Sequence, residues 1–434
     1  MATQAQKRVN LAVSRIIPPV LLGVVVYASY AITKPLCIDY LIHPLPSYNR
    51  GSRVGAGAAI VAIYYVLLIP MVATYIRLMY NVLWKPGYLP FGAERIRSDS
   101  ASQDHKHPHG KRRRKRSSRK ARDAEKQEPT ETDLDGVDLD GMDLECGVNS
   151  HAGGTAFELD PAGLERFYTK DVFVCQDDGR PPYCSTCCQF KTDRAHHCRE
   201  VDRCVRKMDH FCPWVGGVVS ETSFKFFIQF VAYTAIFCTF TLIVSAYFTA
   251  ELKRQTGSVN PHWCVCIGLS GLFFIFSGGM TLSSVQLAML NITTIENLNR
   301  HSVVWTLAIR VPDHLLERLW VADSPWAPTF GMVSYPLEPP TPTQPPNDPS
   351  TTERHVFAIL HTRPGDNPFD LGSSFKNIQQ VMGYSLTDWL LPLKHSPCAD
   401  HSSPESAFAL GPVVTRLKQE AGLAPAPACQ ASTQ

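Results

Sequence analysis

Four uncharged, strongly apolar stretches divide this chain of 434 residues. They cover residues 16–32, 54–76, 226–248 and 263–290, and each is near or above the ~20 residues that a helix needs to cross a bilayer. Backbone amides in lipid must be satisfied within their own segment, so each stretch predicts a transmembrane helix. The first stretch is short and contains Pro18 and Pro19, which also fits a signal-peptide core. The other three predict an integral membrane protein in either case.

Basic residues near the ends of these stretches predict the orientation. Positively charged side chains flanking membrane helices favour the cytosolic face. The connection between the second and third stretches is the most basic at its ends, with Arg77, Lys85, Arg203, Arg206, Lys207 and Lys225. We therefore expect both termini and this connection in the cytosol, where reducing conditions disfavour disulfides and favour metal binding or catalysis for its cysteines.

Two polar regions lie outside the predicted helices. Residues 98–153 combine a basic run with an acidic run, which the net charge of +3 conceals. Blocks of like charge predict a disordered linker. The absence of interleaved aromatic residues and the four spans argue against nucleic acid as a partner. The tail, residues 301–434, is polar and rich in proline, so we expect it to be largely disordered, with an ordered island and a short amphipathic helix within 365–393.

Cysteine and histidine spacing predicts a metal site. Seven of the 14 cysteines lie between Cys175 and Cys212. A two-residue gap in the first pair below lets both sulfurs reach one ion, and two later residues complete a tetrahedral set that favours zinc. The alternative is a group of free, buried thiols. The predicted ligands are Cys184, Cys187, His197 and Cys204.

A possible nucleophile follows the metal pattern. Cys212 lies two residues after His210, and Asp209 precedes that histidine. A nearby imidazole increases the thiolate fraction of a cysteine, and a carboxylate on the other ring nitrogen fixes the tautomer. We expect these residues to meet if the backbone turns, which Pro213 favours. Spacing alone leaves open a second interpretation, in which His210 and Cys212 are further zinc ligands.

At this point the sequence resembles a known family. Residues 183–227 resemble the cysteine-rich core of the DHHC palmitoyltransferases, which are integral membrane protein S-acyltransferases. Lys85-Pro86-Gly87 stands where the family usually has Asp-Pro-Gly. The chain is most similar to a fungal branch with Asp-His-Phe-Cys in place of Asp-His-His-Cys. Two further family motifs are matched by Thr293-Thr294-x-Glu296 and by Asn377.

The resemblance implies an all-α integral membrane protein. Its four transmembrane helices would carry a small, cytosolic, zinc-stabilised cysteine-rich domain between helices 2 and 3. The organelle stays open. The expected units are residues 1–97 with helices 1 and 2, the linker 98–153, the catalytic domain 175–223, residues 224–300 with helices 3 and 4, and the tail 301–434.

The resemblance also implies the reaction. A family member moves palmitate from palmitoyl-CoA to cysteines of membrane-associated proteins through an acyl-enzyme thioester. By position, Cys212 is the nucleophile, His210 the base and Asp209 the residue that orients it. Cys184, Cys187, His197 and Cys204 correspond to the ligands of the first family zinc.

The second zinc site of the family is not matched. It would need Cys198 and metal ligands at the positions of Val201, Phe211 and Val218. We therefore expect one zinc ion, with the second site replaced by an apolar cluster that is stabilised by burial at about 25 cal/mol per Å².

The acyl-CoA co-substrate is expected at the membrane surface. Its fatty chain would lie among the four helices, where Phe237 would limit the chain length, and the bilayer would surround them. Cations would bind the CoA phosphates, and the candidates are Lys191, Arg194, His196, Arg206 and Lys207.

Two other functions are compatible with the sequence. One is a catalytically silent membrane scaffold that presents a zinc knuckle, and the other is a protein that acylates itself but transfers poorly. Asp209, His210 and Cys212 are present although three residues of the second metal site are missing, which favours an active enzyme. A transporter or channel is disfavoured because the spans lack charged residues.

Overall fold

The computed structural model describes residues 4–48, 51–97, 161–319, 330–335 and 355–424. The predicted linker 98–153, with its basic and acidic runs, lies outside the described residues.

Four long apolar helices confirm the predicted spans. The first, α1, covers Gln4–Ala31 and continues as a π-helix over Ile32–Ile42. It extends beyond the predicted stretch at both ends, because a helix can carry charged residues where it leaves the lipid. The other three are α2 (Val54–Trp84), α4 (Phe224–Thr256) and α5 (Pro261–Leu290), and a short helix α3 (Pro161–Tyr168) precedes α4.

The cysteine-rich segment between α2 and α4 folds into three two-stranded antiparallel hairpins. Strands this short are marginal in water unless packing or a metal holds them. The hairpins pair β2 (Tyr183–Cys184) with β3 (Gln189–Phe190), β4 (His196–Cys198) with β5 (Arg203–Val205), and β6 (His210–Cys212) with β7 (Gly217–Val219). The first strand of the chain, β1, covers Val172–Val174.

The tail contains a sheet that the sequence analysis missed. An antiparallel sheet has the order β1-β8-β10-β9, where β8 is Thr306–Arg310, β9 is Gly331–Tyr335 and β10 is His355–His361. The prediction of an all-α protein is therefore wrong outside the apolar helices, and that of a largely disordered tail is wrong for the described part. The strands have partners far along the chain, as in the pairing of Val172 with Ile309, so no local hairpin signal exists.

Aromatic residues form the core of this sheet. Phe357 is fully buried, and its ring centroid lies 5.2 Å from that of Phe173 and 5.9 Å from that of Tyr335. Phe173 comes from β1, which immediately precedes the cysteine-rich hairpins. The tail therefore packs on the same strand that leads into those hairpins.

After α5, the described residues form further short helices, which are α6 (Thr294–Leu298), α7 (Asp313–Leu319), α8 (Ser374–Met382), α9 (Leu386–Leu390) and α10 (Pro412–Glu420). Asn377 of α8 is buried, and its Nδ2 donates a hydrogen bond of 2.9 Å to the carbonyl of Met289 at the end of α5. Its Oδ1 accepts a hydrogen bond from the backbone of Leu371. Asn377 thus fixes α8 to a carbonyl that a helix end leaves without an intrahelical partner.

The tail sheet can be tested at its core. Phe357→Ala should destabilise the sheet by about 3–5 kcal/mol, because it leaves a cavity in packed aromatic side chains. Limited trypsin digestion of the full chain should then release tail fragments sooner than in the wild type. Met332→Ala is the matched control, since Met332 lies on β9 with 42% of its surface exposed. Equal resistance of both variants would contradict a packed sheet.

Candidate active site and metal centre

The segment after α2 attaches the cysteine-rich hairpins to the end of that helix. Gly87 has φ +76°, a conformation that glycine adopts without strain. Its carbonyl accepts a hydrogen bond of 3.0 Å from the backbone of Arg206. The hydroxyl of Ser220 donates to the carbonyl of Pro86, also at 3.0 Å. These bonds place the hairpins at one end of the long helices.

A hydrogen-bonded chain leads from α6 to His210. One oxygen of the Asp209 carboxylate lies 2.7 Å from Nδ1 of the histidine. The backbone N–H of Thr294 donates to Oδ1 of Asp209 at 2.9 Å, and the hydroxyl of Thr294 donates to Oδ2 at 2.8 Å. Asp209 is buried, so its orientation is fixed and it holds the proton of the ring on Nδ1.

Strand β6 brings His210 and Cys212 to one face. Residues two apart on a strand point to the same side, and the residue between them points to the other. Phe211 therefore faces away from the pair. From spacing alone, a turn of the backbone was expected to bring the two side chains together. The extended strand already places both on one face. A 3₁₀ turn over Pro213–Val215 begins directly after Cys212, which is itself buried.

The environment of His210 favours its protonated form. Burial on its own lowers the pKa of this histidine, but the hydrogen bond with Asp209 and the neighbouring Cys212 outweigh that effect and raise the pKa to about 9. The second ring nitrogen, Nε2, is buried and meets no N or O hydrogen-bond partner within the described part of the chain. At neutral pH the ring is thus an imidazolium that can stabilise a thiolate on the same face of β6.

A buried ion pair holds the Thr-Thr-x-Glu segment in place. Arg194 donates two hydrogen bonds to Glu296, at 2.8 and 2.6 Å, and its side chain is fully buried. Burial raises the pKa of Glu296, but the charge and hydrogen bonds of Arg194 more than offset this and lower the pKa below its ordinary value. Glu296 also closes a capping box with Thr293. The start of α6, and with it Thr294, is fixed beside Asp209.

Four side chains are arranged to hold a metal ion. The ligand atoms of Cys184, Cys187, His197 and Cys204 all lie within 4.8 Å of one another. Nδ1 of His197 is 3.4 Å from the sulfur of Cys187, and its Nε2 is 3.6 Å from the carboxylate of Asp202. Three thiols and one imidazole fit a structural zinc ion, and an outer carboxylate is the usual partner of a zinc-bound histidine. His210 and Cys212 lie on a different hairpin, so the geometry does not favour their alternative role as ligands.

An apolar cavity of about 540 Å³ opens among the four long helices. Trp214, two residues after Cys212, contributes to its wall, and the hydroxyl of Tyr75 donates to the carbonyl of Trp214 at 3.2 Å. Phe237 also lines the cavity and packs against Tyr64, with ring centroids 4.9 Å apart. The cavity therefore approaches the hairpin that carries Cys212.

Similarity to known proteins identifies the family of this chain. The sequence model of the DHHC palmitoyltransferases matches residues 178–301. The chain is 64% identical over 421 residues to "Palmitoyltransferase pfa5" of Aspergillus fumigatus, with 96% of this chain and 92% of that protein covered. It is 54% identical over 443 residues to the protein of the same name in Emericella nidulans, covering 98% and 88%. This chain belongs to the DHHC palmitoyltransferase family.

A more distant relative is also named a palmitoyltransferase. "Palmitoyltransferase ZDHHC15" of Rattus norvegicus is 28% identical over 234 residues, which cover 54% of this chain and 53% of that protein. Together with the four apolar helices, these similarities identify the chain as a multi-pass membrane protein that carries out protein S-palmitoylation.

The residues at the second zinc position of this DHHC palmitoyltransferase pack together. Val201, Phe211 and Val218 belong to one apolar cluster with Cys198. Phe211 and Val218 are direct cross-strand partners in the third hairpin. Burial raises the pKa of Cys198 to about 12, so its thiol stays neutral there. The apolar contact that the sequence analysis expected is present.

Two of the five cations expected to bind CoA are placed elsewhere. Arg194 is fully buried in its pair with Glu296, and buried Lys207 lies 5.7 Å from the ring centroid of Phe408. Burial of both side chains argues against these expected contacts with a solvated phosphate. Their partners are about a hundred or more residues away in sequence, which the local pattern could not reveal. Arg206 pairs with Glu221 at 2.8 Å, while Lys191 and His196 are half-buried.

Proposed function

We propose that this palmitoyltransferase works through an acyl-enzyme thioester on Cys212, with His210 as the proton carrier and Asp209 as its positioning residue. The observation that carries the proposal is the 2.7 Å contact between Asp209 and Nδ1 of His210. The alternation of side chains along β6 turns His210 and Cys212 to one face. A cysteine beside an oriented imidazole is the usual arrangement for covalent acyl transfer.

In the first step the sulfur of Cys212 attacks the carbonyl carbon of palmitoyl-CoA. His210 holds the proton that the thiol has lost. The new carbon–sulfur bond forms as the bond to the CoA sulfur breaks, and His210 returns the proton to the departing CoA thiolate. Asp209 steadies the imidazolium throughout.

In the second step the thiol of a substrate cysteine transfers its proton to His210 and attacks the acyl carbon. The bond to Cys212 breaks, and the sulfur of this residue leaves as a thiolate paired with the imidazolium. The products are an S-palmitoylated protein and the enzyme in its starting state. The substrates we expect are membrane-associated proteins with cytosolic cysteines.

The apolar cavity supplies a place for the fatty chain. Each methylene that leaves water contributes about 0.8 kcal/mol, and Trp214 joins the cavity to the strand of Cys212. The CoA phosphates stay in water at the membrane surface. Of the cations proposed from the sequence, Lys191, His196 and Arg206 remain as candidates for this contact.

Zinc would have a structural role at Cys184, Cys187, His197 and Cys204. These ligands belong to two hairpins and the turn of the first, so a bound ion would tie the hairpins together. We propose one ion per chain, because Val201, Phe211 and Val218 fill the second family position with apolar packing.

The topology follows from the basic residues around the hairpins. We propose that both termini and the catalytic domain, residues 175–223, face the cytosol. Residues 1–97 and 224–300 then belong to the membrane unit and 98–153 to the linker, while the described residues 301–319, 330–335 and 355–424 form a folded cytosolic unit with β1.

Self-acylation tests the nucleophile. Incubation of the purified chain with alkyne-tagged palmitoyl-CoA should label the wild type, and neutral hydroxylamine should remove the label as it does from thioesters. Cys212→Ser should lose essentially all label while Cys188→Ser, a matched change of a partly exposed cysteine, should keep it. An unlabelled but folded wild type would favour the silent scaffold. Label without transfer to substrate proteins would favour the self-acylating alternative.

The raised pKa of His210 predicts a pH dependence. Its imidazolium persists above the ordinary pKa of 6.5 and is lost as pH rises through about 9, so single-turnover self-acylation should fall in that range. Asp209→Asn removes the contact that raises the pKa and should move the fall to lower pH. The rate at which preformed acyl-enzyme loses its label is measured at each pH, and the self-acylation rates are corrected for this alkaline hydrolysis. An unshifted profile in the variant would contradict the role of Asp209.

Metal analysis tests the zinc proposal. The purified chain should contain close to one zinc per molecule, and a value near two would refute the single site. Cys204→Ser should lose the metal and the fold of the hairpins, because it removes one of the four ligands. Cys212→Ser is the control and should retain both.

The role of Phe237 is tested by acyl-chain preference. Phe237→Ala removes a ring that lines the cavity, so longer acyl-CoA substrates should become preferred in competition for self-acylation. Ile236→Ala is the control, since Ile236 directly precedes Phe237 on α4 and 51% of its own surface is exposed. Unchanged profiles across acyl lengths in both variants would exclude Phe237 as a determinant.

A further inference from the structure

A buried lysine without a partner lies at the start of α4. Lys225 has 1% of its surface exposed, and its Nζ makes no hydrogen bond among the described residues. An ammonium group removed from water is strongly unfavourable unless a counter-charge compensates it. Lys225 takes no part in the proposed acyl transfer.

A segment of the tail covers this region, and we name residues 389–395 the strap. Gln229 of α4 donates to the carbonyl of Trp389 at 2.9 Å, and Tyr233 donates to the carbonyl of Leu390 at 2.7 Å. These bonds hold the first part of the strap along α4. Its last residue, His395, packs edge-on against Phe226, with centroids 5.7 Å apart.

Arg77 of α2 joins the same cluster. Its guanidinium donates to Nε2 of His395 at 3.1 Å, on the exposed side of the strap. The Nε of Arg77 is buried and makes no hydrogen bond to any residue that the structure describes, and the guanidinium stacks 5.3 Å from the ring centroid of Phe226. Arg77 and Lys225, from different helices, thus each have one buried nitrogen that no described residue hydrogen-bonds.

The charge around the strap is predominantly positive. Burial, followed by the charges of Arg77, Lys85 and Lys225, lowers the pKa of His395. The ring is therefore neutral and accepts the hydrogen bond from Arg77. Asp388 offers a carboxylate nearby, but Lys394 engages it at 3.3 Å. A bound anion would offset the remaining repulsion among Arg77, Lys85 and Lys225.

The surroundings of the cluster are those expected at the level of lipid headgroups. The strap and the adjoining α9 expose large apolar side chains beside it, and Trp84 at the end of α2 is 75% exposed. Exposed apolar residues next to cations are typical of an interfacial surface that meets anionic lipid. The exposed residues on α9 and the strap are Leu386, Leu390, Leu391 and Leu393.

We propose that Lys225, Arg77 and His395 bind the phosphate of an anionic phospholipid headgroup, and that the bound lipid holds the strap against α4. The phosphate contacts Arg77 and His395 at the exposed edge and neutralises Lys225 beneath. A zwitterionic lipid carries its own ammonium group and offsets less of this charge. The proposed site uses none of the cations Lys191, His196 and Arg206 that are the candidates for CoA.

Native mass spectrometry of the detergent-purified full chain tests the site. Dioleoyl-phosphatidylserine should form more adduct than dioleoyl-phosphatidylcholine at equal concentration. Lys225→Met should weaken phosphatidylserine binding about fivefold, the effect expected for one cation near a lipid surface. Lys253→Met, an exposed cation at the other end of α4, is the matched control and should bind like the wild type.

Further arms separate the possible outcomes. Arg77→Gln should reproduce the loss if Lys225→Met does not fold, and thermal unfolding of each variant reports folding. Equal binding of both lipids, or equal behaviour of Lys225→Met, Arg77→Gln and Lys253→Met, would overturn the proposal. Displacement of phosphatidylserine by CoA or inorganic phosphate at equal concentration would assign the site to a soluble phosphate instead. The assay requires no acyl transfer, so its failure is distinct from failure of the proposed reaction.

Discussion

The alternation of side chains along β6 is the constraint on which the site depends. In three residues it turns His210 and Cys212 to one face and Phe211 to the other. The first face carries the imidazole and the thiol. The opposite face enters the apolar cluster with Val201 and Val218. Packing on one side of the strand therefore fixes the register in which the two reactive groups are presented on the other.

A second constraint orients the histidine from a distant part of the chain. Asp209 receives two hydrogen bonds from Thr294, and Thr294 is held by a helix start whose Glu296 is paired with buried Arg194. A buried ion pair contributes little net stability compared with apolar packing, but loss of one partner is costly. The arrangement is thus better suited to fixing a position than to stabilising the fold.

The sequence was sufficient where function depends on local spacing. Four apolar runs predict four long helices, and the spacing of Cys184, Cys187, His197 and Cys204 predicts a cluster whose ligand atoms lie within 4.8 Å. The sequence was insufficient where the burial of a charged side chain depends on residues far along the chain. The sequence predicted that Arg194 and Lys207 are surface cations, yet both are buried, Arg194 against Glu296 and Lys207 against Phe408. The tail sheet was missed for the same reason, since Phe173 and Phe357 meet only in the folded chain.

The two halves of the cysteine-rich domain rely on different physical forces. Around His197, three thiols converge on an imidazole, and a bound cation would offset the repulsion between thiolates there. Around Phe211, the neutral thiol of Cys198 packs among valines and methionine without any such need. The hairpin that carries Cys212 belongs to the second half. In the proposed scheme, apolar side chains in place of metal ligands on that hairpin would keep the strand geometry of His210 and Cys212 without a second ion.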